Sequence, residues 1–340
     1  MNKHEMMLNA FVENIKTNHK DDVGLIIVYG SYVNNTMNEL SDVDVMFVGK
    51  TDKAYGLQKQ YIYEGVGYDF FCMSVERVHK IIDEYQPLIS ILAEGRLLYA
   101  DSEEKVGHFK KLQERLANLD KIEPVDKYFW QVDTLLKEMK ANAFDHQFAS
   151  IETKRHLQGY MIYQIMHFMQ LINRKNLKFG TKQIVSELQA MPLRPKTLVY
   201  HLELLTKDTV QTRDIMNIVQ SFEAYYQSLR EQYCPFDMGS LNGFYEEECS
   251  VWNKIITAAK NDDIMTAYLA ATSIENELVG YRKHFTDLTN LFSSYDSTVE
   301  SLLDSAKKTE TEILHILKEQ QINVRVFSAL DDVLEFLSRS

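Results

Sequence analysis

Apolar positions change their rhythm about a third of the way along this chain. Residues 4–19 carry Met7, Leu8, Phe11, Val12 and Ile15 at helical spacing, which predicts an amphipathic helix closed by Asp21, Asp22 and Gly24. Residues 25–29 form a continuous apolar run rich in β-branched side chains, the pattern of a buried strand. Residues 31–40 read as a short helix or loop, and 43–48 as a second strand. A helix is expected over 53–60. Residues 61–63 and 68–73 then read as two short strands joined by a tight turn around Gly65 and Gly67. Ser74 is placed to cap a helix running to Tyr85, and 95–99 reads as a last strand at the sheet edge.

From about residue 102 the periodicity is helical almost without interruption. The segments 103–119, 126–144, 149–174, 181–190, 208–232, 245–259, 262–294 and 296–320 all carry it, with Pro124 and the Pro192/Pro195 pair as breaks. Residues 323–339 read as a short strand or turn and then a helix. The expected class is α+β: a small mixed-sheet head over 1–101, a helical substrate-binding domain over 102–235, and an additional helical region over 236–340.

Composition narrows the function more than the fold. At 340 residues and 45% apolar side chains, the chain can build more than one core. Its net charge of −12 argues against a long nucleic-acid partner, because such proteins present a basic face to displace phosphate counterions. The three cysteines, Cys72, Cys234 and Cys249, lack zinc or disulfide spacing. No leader-like segment opens the chain, and no run of about 18 apolar residues occurs. A cytoplasmic protein without membrane contact is expected.

Chemistry gathers at the strand ends of the head. The first apolar run ends in Gly30-Ser31. Ten residues later comes Ser41-Asp42-Val43-Asp44, at the start of the second run. Alternate residues of a strand share a face, so Asp42 and Asp44 would project together. A third carboxylate, Asp69, interrupts the apolar strand Tyr68–Met73, where an unpaired charge is costly. Magnesium is usually held by one or two carboxylates plus substrate phosphates. A Gly-Ser turn facing such carboxylates suits a nucleoside triphosphate with Mg²⁺, in a two-metal site. Each feature alone is more often a turn or a cap; the three together, in order, carry the functional reading.

This arrangement resembles the nucleotidyltransferase superfamily typified by DNA polymerase β, and within it the bacterial aminoglycoside and lincosamide nucleotidyltransferases. The resemblance covers residues 20–100. It implies that Gly30 and Ser31 hold the β and γ phosphates and that Asp42 and Asp44 bind the metals. Asp69 would bind the catalytic metal or act as general base. Many relatives carry an Arg in the spacer where this chain has Val33-Asn34-Asn35, so one phosphate contact is missing. The resemblance also allows a homodimer. The function it implies is transfer of a nucleoside monophosphate to a hydroxyl of a small molecule, such as an antibiotic, with release of pyrophosphate. The alternatives are a protein-AMPylating antitoxin-type enzyme and a non-catalytic nucleotide-binding or dimerisation module.

Few other residues stand out. Glu152, Lys154 and Arg155 open a long helix and are candidates for substrate or phosphate contacts, although a solvated first turn is the plainer reading. His146, His156 and His167 are not at ligand spacing. Lys105, Lys110, Lys111 and Arg115 read as a solvated helix face. Arg194 and His201 have roughly the spacing of an all-helical ribonuclease motif, but Pro195 interrupts the helix it needs.

Overall fold

The computed structural model describes residues 3–285 and 287–338. The chain divides into two compact units, Met1–Cys234 and Pro235–Ser340. The first holds a five-stranded sheet: β1 (Val23–Tyr29), β2 (Asp44–Gly49), β3 (Lys59–Tyr63), β4 (Val66–Ser74) and β5 (Arg96–Ala100). Their order is β3-β4-β2-β1-β5. The β2–β4 pair is parallel and the other pairs are antiparallel, so the sheet is mixed.

Both faces of the sheet are covered, which explains the continuous apolar runs. Ile26, Val28, Val45, Phe47 and Phe70 turn to one face and pack with Leu8, Val12 and Ile15 of α1 (Lys3–Asn18). Ile27, Met46, Val48 and Met73 turn to the other and join a core built with helices. Those helices are α2 (Val75–Asp83), α3 (Ile89–Glu94), α4 (Glu103–Ala117), α5 (Leu119–Ile122), α6 (Phe129–Phe148), α7 (Ile151–Asn173), α8 (Ile184–Ala190), α9 (Leu198–Leu205) and α10 (Thr212–Tyr233). Sheet and helices up to Cys234 therefore share one core. Ser74 caps its helix as the sequence predicts, and Ser102 and Ser150 likewise accept a backbone N–H in the first turn of theirs.

The second unit has its own core, centred on Trp252, Ile255, Ile274, Leu291 and Leu302. It comes from α11 (Phe244–Lys260), α12 (Ile264–Arg282) and α13 (Val299–Glu319), and α14 (Leu330–Ser338) follows. Buried Glu275 accepts from Arg282, from the Leu291 N–H at 2.6 Å and from Asn290 Nδ2 at 2.8 Å. This knot turns the chain after Arg282, so the helix expected to run to residue 294 stops twelve residues early. Two other differences have local causes. Residues 53–60 are not one helix: a 3-10 segment, Asp52–Leu57, gives way to β3 because Lys59 and Gln60 pair with Phe70 and Asp69. The short helices α3 and α9 follow Pro87 and Pro195, and neither is long enough to show a period. No strand forms among the described residues of 323–339.

Candidate functional site

The site grows from one row of residues across the sheet. Tyr29 lies directly opposite Asp44 in the β1–β2 pair. The parallel β2–β4 register matches Val45 with Phe70, which sets Asp44 level with Asp69 one position earlier. Level positions on adjacent strands point to the same side. Tyr29, Asp44 and Asp69 thus share the face that carries Met46 and Met73. Beyond Asp69, Gln60 on β3 completes the row, and its Nε2 donates to Asp69 Oδ1 at 2.7 Å.

Gly30 follows Tyr29 and turns the chain. Its φ is 75°, a left-handed conformation that favours glycine, and a Cβ there would run into the Asp44 carboxylate. The sequence needs glycine here on both counts. A 3-10 turn, Gly30–Tyr32, follows, and its carbonyls are used: the N–H of Asn34 donates to Gly30 O and that of Thr36 to Ser31 O, each at 3.1 Å. On the way to β2, Ser41 is buried, and its Oγ accepts from the Asn38 N–H at 2.9 Å. This small knot holds the loop that delivers Asp42 just before the strand.

Gly30, Ser31, Asp42 and Asp44 line one cleft of about 500 Å³. Asp69 is not among its lining residues, but it lies within electrostatic range of Asp44. Burial, then Asp42 and Asp69, push the Asp44 carboxyl up to about 6, while Lys182 pulls it down. The Tyr29 hydroxyl is raised for the same reasons, burial first and then the three carboxylates. Among the described residues, no ion pair reaches Asp42, Asp44 or Asp69, and no three His, Cys, Asp or Glu are closed into a ready-made metal cage. A pair of carboxylates with open positions is what Mg²⁺ uses when phosphates and waters supply its other ligands. The residues present fit that ion.

The opposite wall comes from the loop after α7. Leu177, Lys178, Phe179, Gly180, Thr181 and Lys182 line the cleft. The loop is held from both sides. Glu187 of α8 accepts from the N–H groups of Lys178 (2.7 Å) and Phe179 (3.0 Å). Across the cleft, Asn34 Nδ2 donates to Lys178 O at 2.7 Å, and Lys182 Nζ reaches Thr36 O at 3.4 Å. Arg174 and Lys175 are occupied elsewhere: Arg174 donates to the carbonyls of Ile172 and Asp120, and Lys175 pairs with the Asp120 carboxylate. Lys178 and Lys182 remain as the exposed cations of this wall.

The structure does not bring Glu152, Lys154 or Arg155 to the cleft. They sit at the start of α7, whose far end feeds the loop, and about 21 residues of helix at ~1.5 Å each put roughly 30 Å between the two ends. Glu152 is exposed and accepts from Ser150 Oγ. The cleft lies at the other end of that helix from these three residues. The signal in the sequence for this wall is Lys178, Gly180 and Lys182, just past the helix end. His201 is buried on α9 with neither ring nitrogen partnered, and Arg194 donates to Met191 O.

Comparison with known proteins bears on this geometry. The model of the nucleotidyltransferase domain matches residues 8–142, which includes every strand and Gly30, Ser31, Asp42, Asp44 and Asp69. A protein of Methanocaldococcus jannaschii, named "Putative protein adenylyltransferase", is 31% identical over 98 residues, 28% of this chain and 97% of the relative. The chain belongs to the nucleotidyltransferase superfamily. It is an enzyme of nucleotidyl transfer. A crystal structure of a nucleotidyltransferase-like protein from Exiguobacterium sibiricum has a TM-score of 0.40 and 10% identity, over 68% of this chain and 76% of that one. Among the described residues, no helix of this nucleotidyltransferase is long and apolar enough to cross a membrane.

Proposed function

We propose that this nucleotidyltransferase moves a nucleoside monophosphate from a nucleoside triphosphate to a hydroxyl of a small molecule, releasing pyrophosphate. The observation that carries the reading is the row Asp69–Asp44 beside Gly30-Ser31, with Asp42 and two lysines on the walls of the same cleft. Asp42 and Asp44 are the residues to hold Mg²⁺, which supplies counter-charge to the phosphoryl oxygens. The backbone N–H of Ser31 and its hydroxyl are suited to bind the outer phosphates. Lys178 and Lys182 draw the polyanion into an otherwise acidic cleft, taking the part left open by the spacer without arginine. Asp69 is exposed and level with Asp44, a position from which a carboxylate can take the acceptor's proton. The acceptor oxygen bonds to the α-phosphorus as the bond to pyrophosphate breaks.

The test is incubation with each triphosphate, Mg²⁺ and a panel of hydroxylated small molecules, including aminoglycosides and lincosamides, read by mass spectrometry. An acceptor heavier by one nucleoside monophosphate supports the proposal. A second reading is favoured by the archaeal relative's name: the acceptor is a hydroxyl of a protein side chain. Labelled triphosphate incubated with host lysate separates the two, because radioactivity would then travel with protein and not with the small-molecule fraction. Failure of Asp42→Asn and Asp44→Asn to remove labelling in either assay would sink both readings.

A further inference from the structure

A second cavity, of about 310 Å³, opens at the other end of β1 and β2 from the cleft. Val48 lines it four residues past Asp44, so ~13 Å of strand at ~3.3 Å per residue separates the two. Leu25, Val48, Val78, Ile82, Phe109 and Leu112 give it apolar walls. Its charged and titratable lining side chains are all of one kind: Lys50, Lys105, His79 and His108. No carboxylate lines it.

The two lysines converge on one point. Lys50 Nζ and Lys105 Nζ both donate to Asp101 Oδ2, at 2.7 and 2.8 Å. One carboxylate against two ammonium groups leaves one positive charge at the mouth. Of the histidines, His108 Nε2 lies 3.9 Å from Glu104. Gly24 makes the convergence possible. A Cβ there would come to 3.1 Å from Lys105 Nζ and 3.5 Å from Lys50 Cγ. Bare backbone at this point lets both lysine stems lie along the rim.

An apolar chamber with a net positive rim selects an anionic amphiphile, because the alkyl part leaves water while the head meets the ammonium groups. At the ~30 Å³ that a water-sized group occupies, the chamber holds about ten non-hydrogen atoms, the size of an eight-carbon carboxylate. We propose that this pocket binds a medium-chain aliphatic carboxylate, its chain between α2 and α4 and its head at Lys50 and Lys105. The proposal does not depend on the reading of the nucleotide cleft.

The test is calorimetric titration of the full chain with octanoate, octanol and octylamine. Octanoate is expected to bind with a submillimolar Kd, octanol about tenfold more weakly or worse, and octylammonium not at all. Lys105→Gln should weaken octanoate by about tenfold and leave octanol unchanged. Leu112→Trp should fill the chamber and abolish octanoate binding. Its retained cooperative melting would show that it is folded, and Val78→Phe serves if it is not. The proposal falls if octanoate fails to bind at about 5 mM, or if octanol or octylamine binds as well. Octanoate binding that survives both Lys105→Gln and a folded chamber-filling variant also overturns it.

Discussion

Asp44 is the residue on which function and stability pull apart. Burial and two neighbouring carboxylates hold its pKa at about 6, above its ordinary 3.8. A carboxyl raised on folding binds its proton more tightly in the folded chain. Its contribution to stability is therefore full below about pH 4 and is lost as the pH rises through about 6. Asp44→Asn should raise the Tm of the metal-free protein at pH 7.5, by an amount worth about 1 kcal/mol once partial exposure is discounted. The gain should vanish near pH 4. The same substitution should cut nucleotidyl transfer by roughly 10²-fold or more. A matching Tm at both pH values would mean that Asp44 bears no such strain. Mg²⁺ competes with the same proton, so the Tm rise given by Mg²⁺ and triphosphate should shrink as the pH falls below about 6. Gly30→Ala, with its left-handed φ and its Cβ against Asp44, should lose about 1–2 kcal/mol and the triphosphate response together.

The loop between α7 and α8 is the element that completes the cleft, and Glu187 is its anchor. Glu187→Ala removes the acceptor for two loop N–H groups and leaves the sheet untouched. It should raise KM for the triphosphate several-fold with a smaller change in kcat; an unchanged KM would mean that the loop takes no part in binding. Lys182→Ala should do the same and should flatten the dependence of KM on salt, since an exposed charge acts within a Debye length of about 10 Å. Legibility in the sequence also divides by element. The strands could be read because Ile26 and Ile27, or Phe47 and Val48, are buried on opposite faces and leave an unbroken apolar run. Gly30, Asp42 and Asp44 could be read because they lie within fifteen residues of one another and their spacing sets their direction. Lys178 could not, because its place depends on which end of a 23-residue helix returns to the sheet. Nor could the end of α12, which depends on Glu275 meeting the Asn290 side chain and the Leu291 N–H, fifteen and sixteen residues on.

At the scale of the molecule, the core that joins sheet and helices ends at Cys234, and a separate core begins after Pro235. The fragment of residues 1–234 is expected to unfold in one cooperative transition in urea and to keep its Tm rise with triphosphate and Mg²⁺. Loss of that response in a folded fragment would assign part of the nucleotide site to residues beyond 234. A noncooperative melt would show that the first core does not stand by itself. The head and the helices of 102–234 are not expected to separate in this way, because Ile27, Met46 and Val48 are packed into the helical core.

The end of the carboxylate row has a consequence in time. Gln60, which holds Asp69, belongs to β3, and β3 is an edge strand with β4 on one side only. Edge strands open locally at far less free energy than central ones, so β3 amides should exchange with deuterium well before those of β1 and β2. Each opening should release the Asp69 carboxylate from Gln60. The third carboxylate then comes free at the rate at which the sheet edge breathes, with no need for the molecule to unfold.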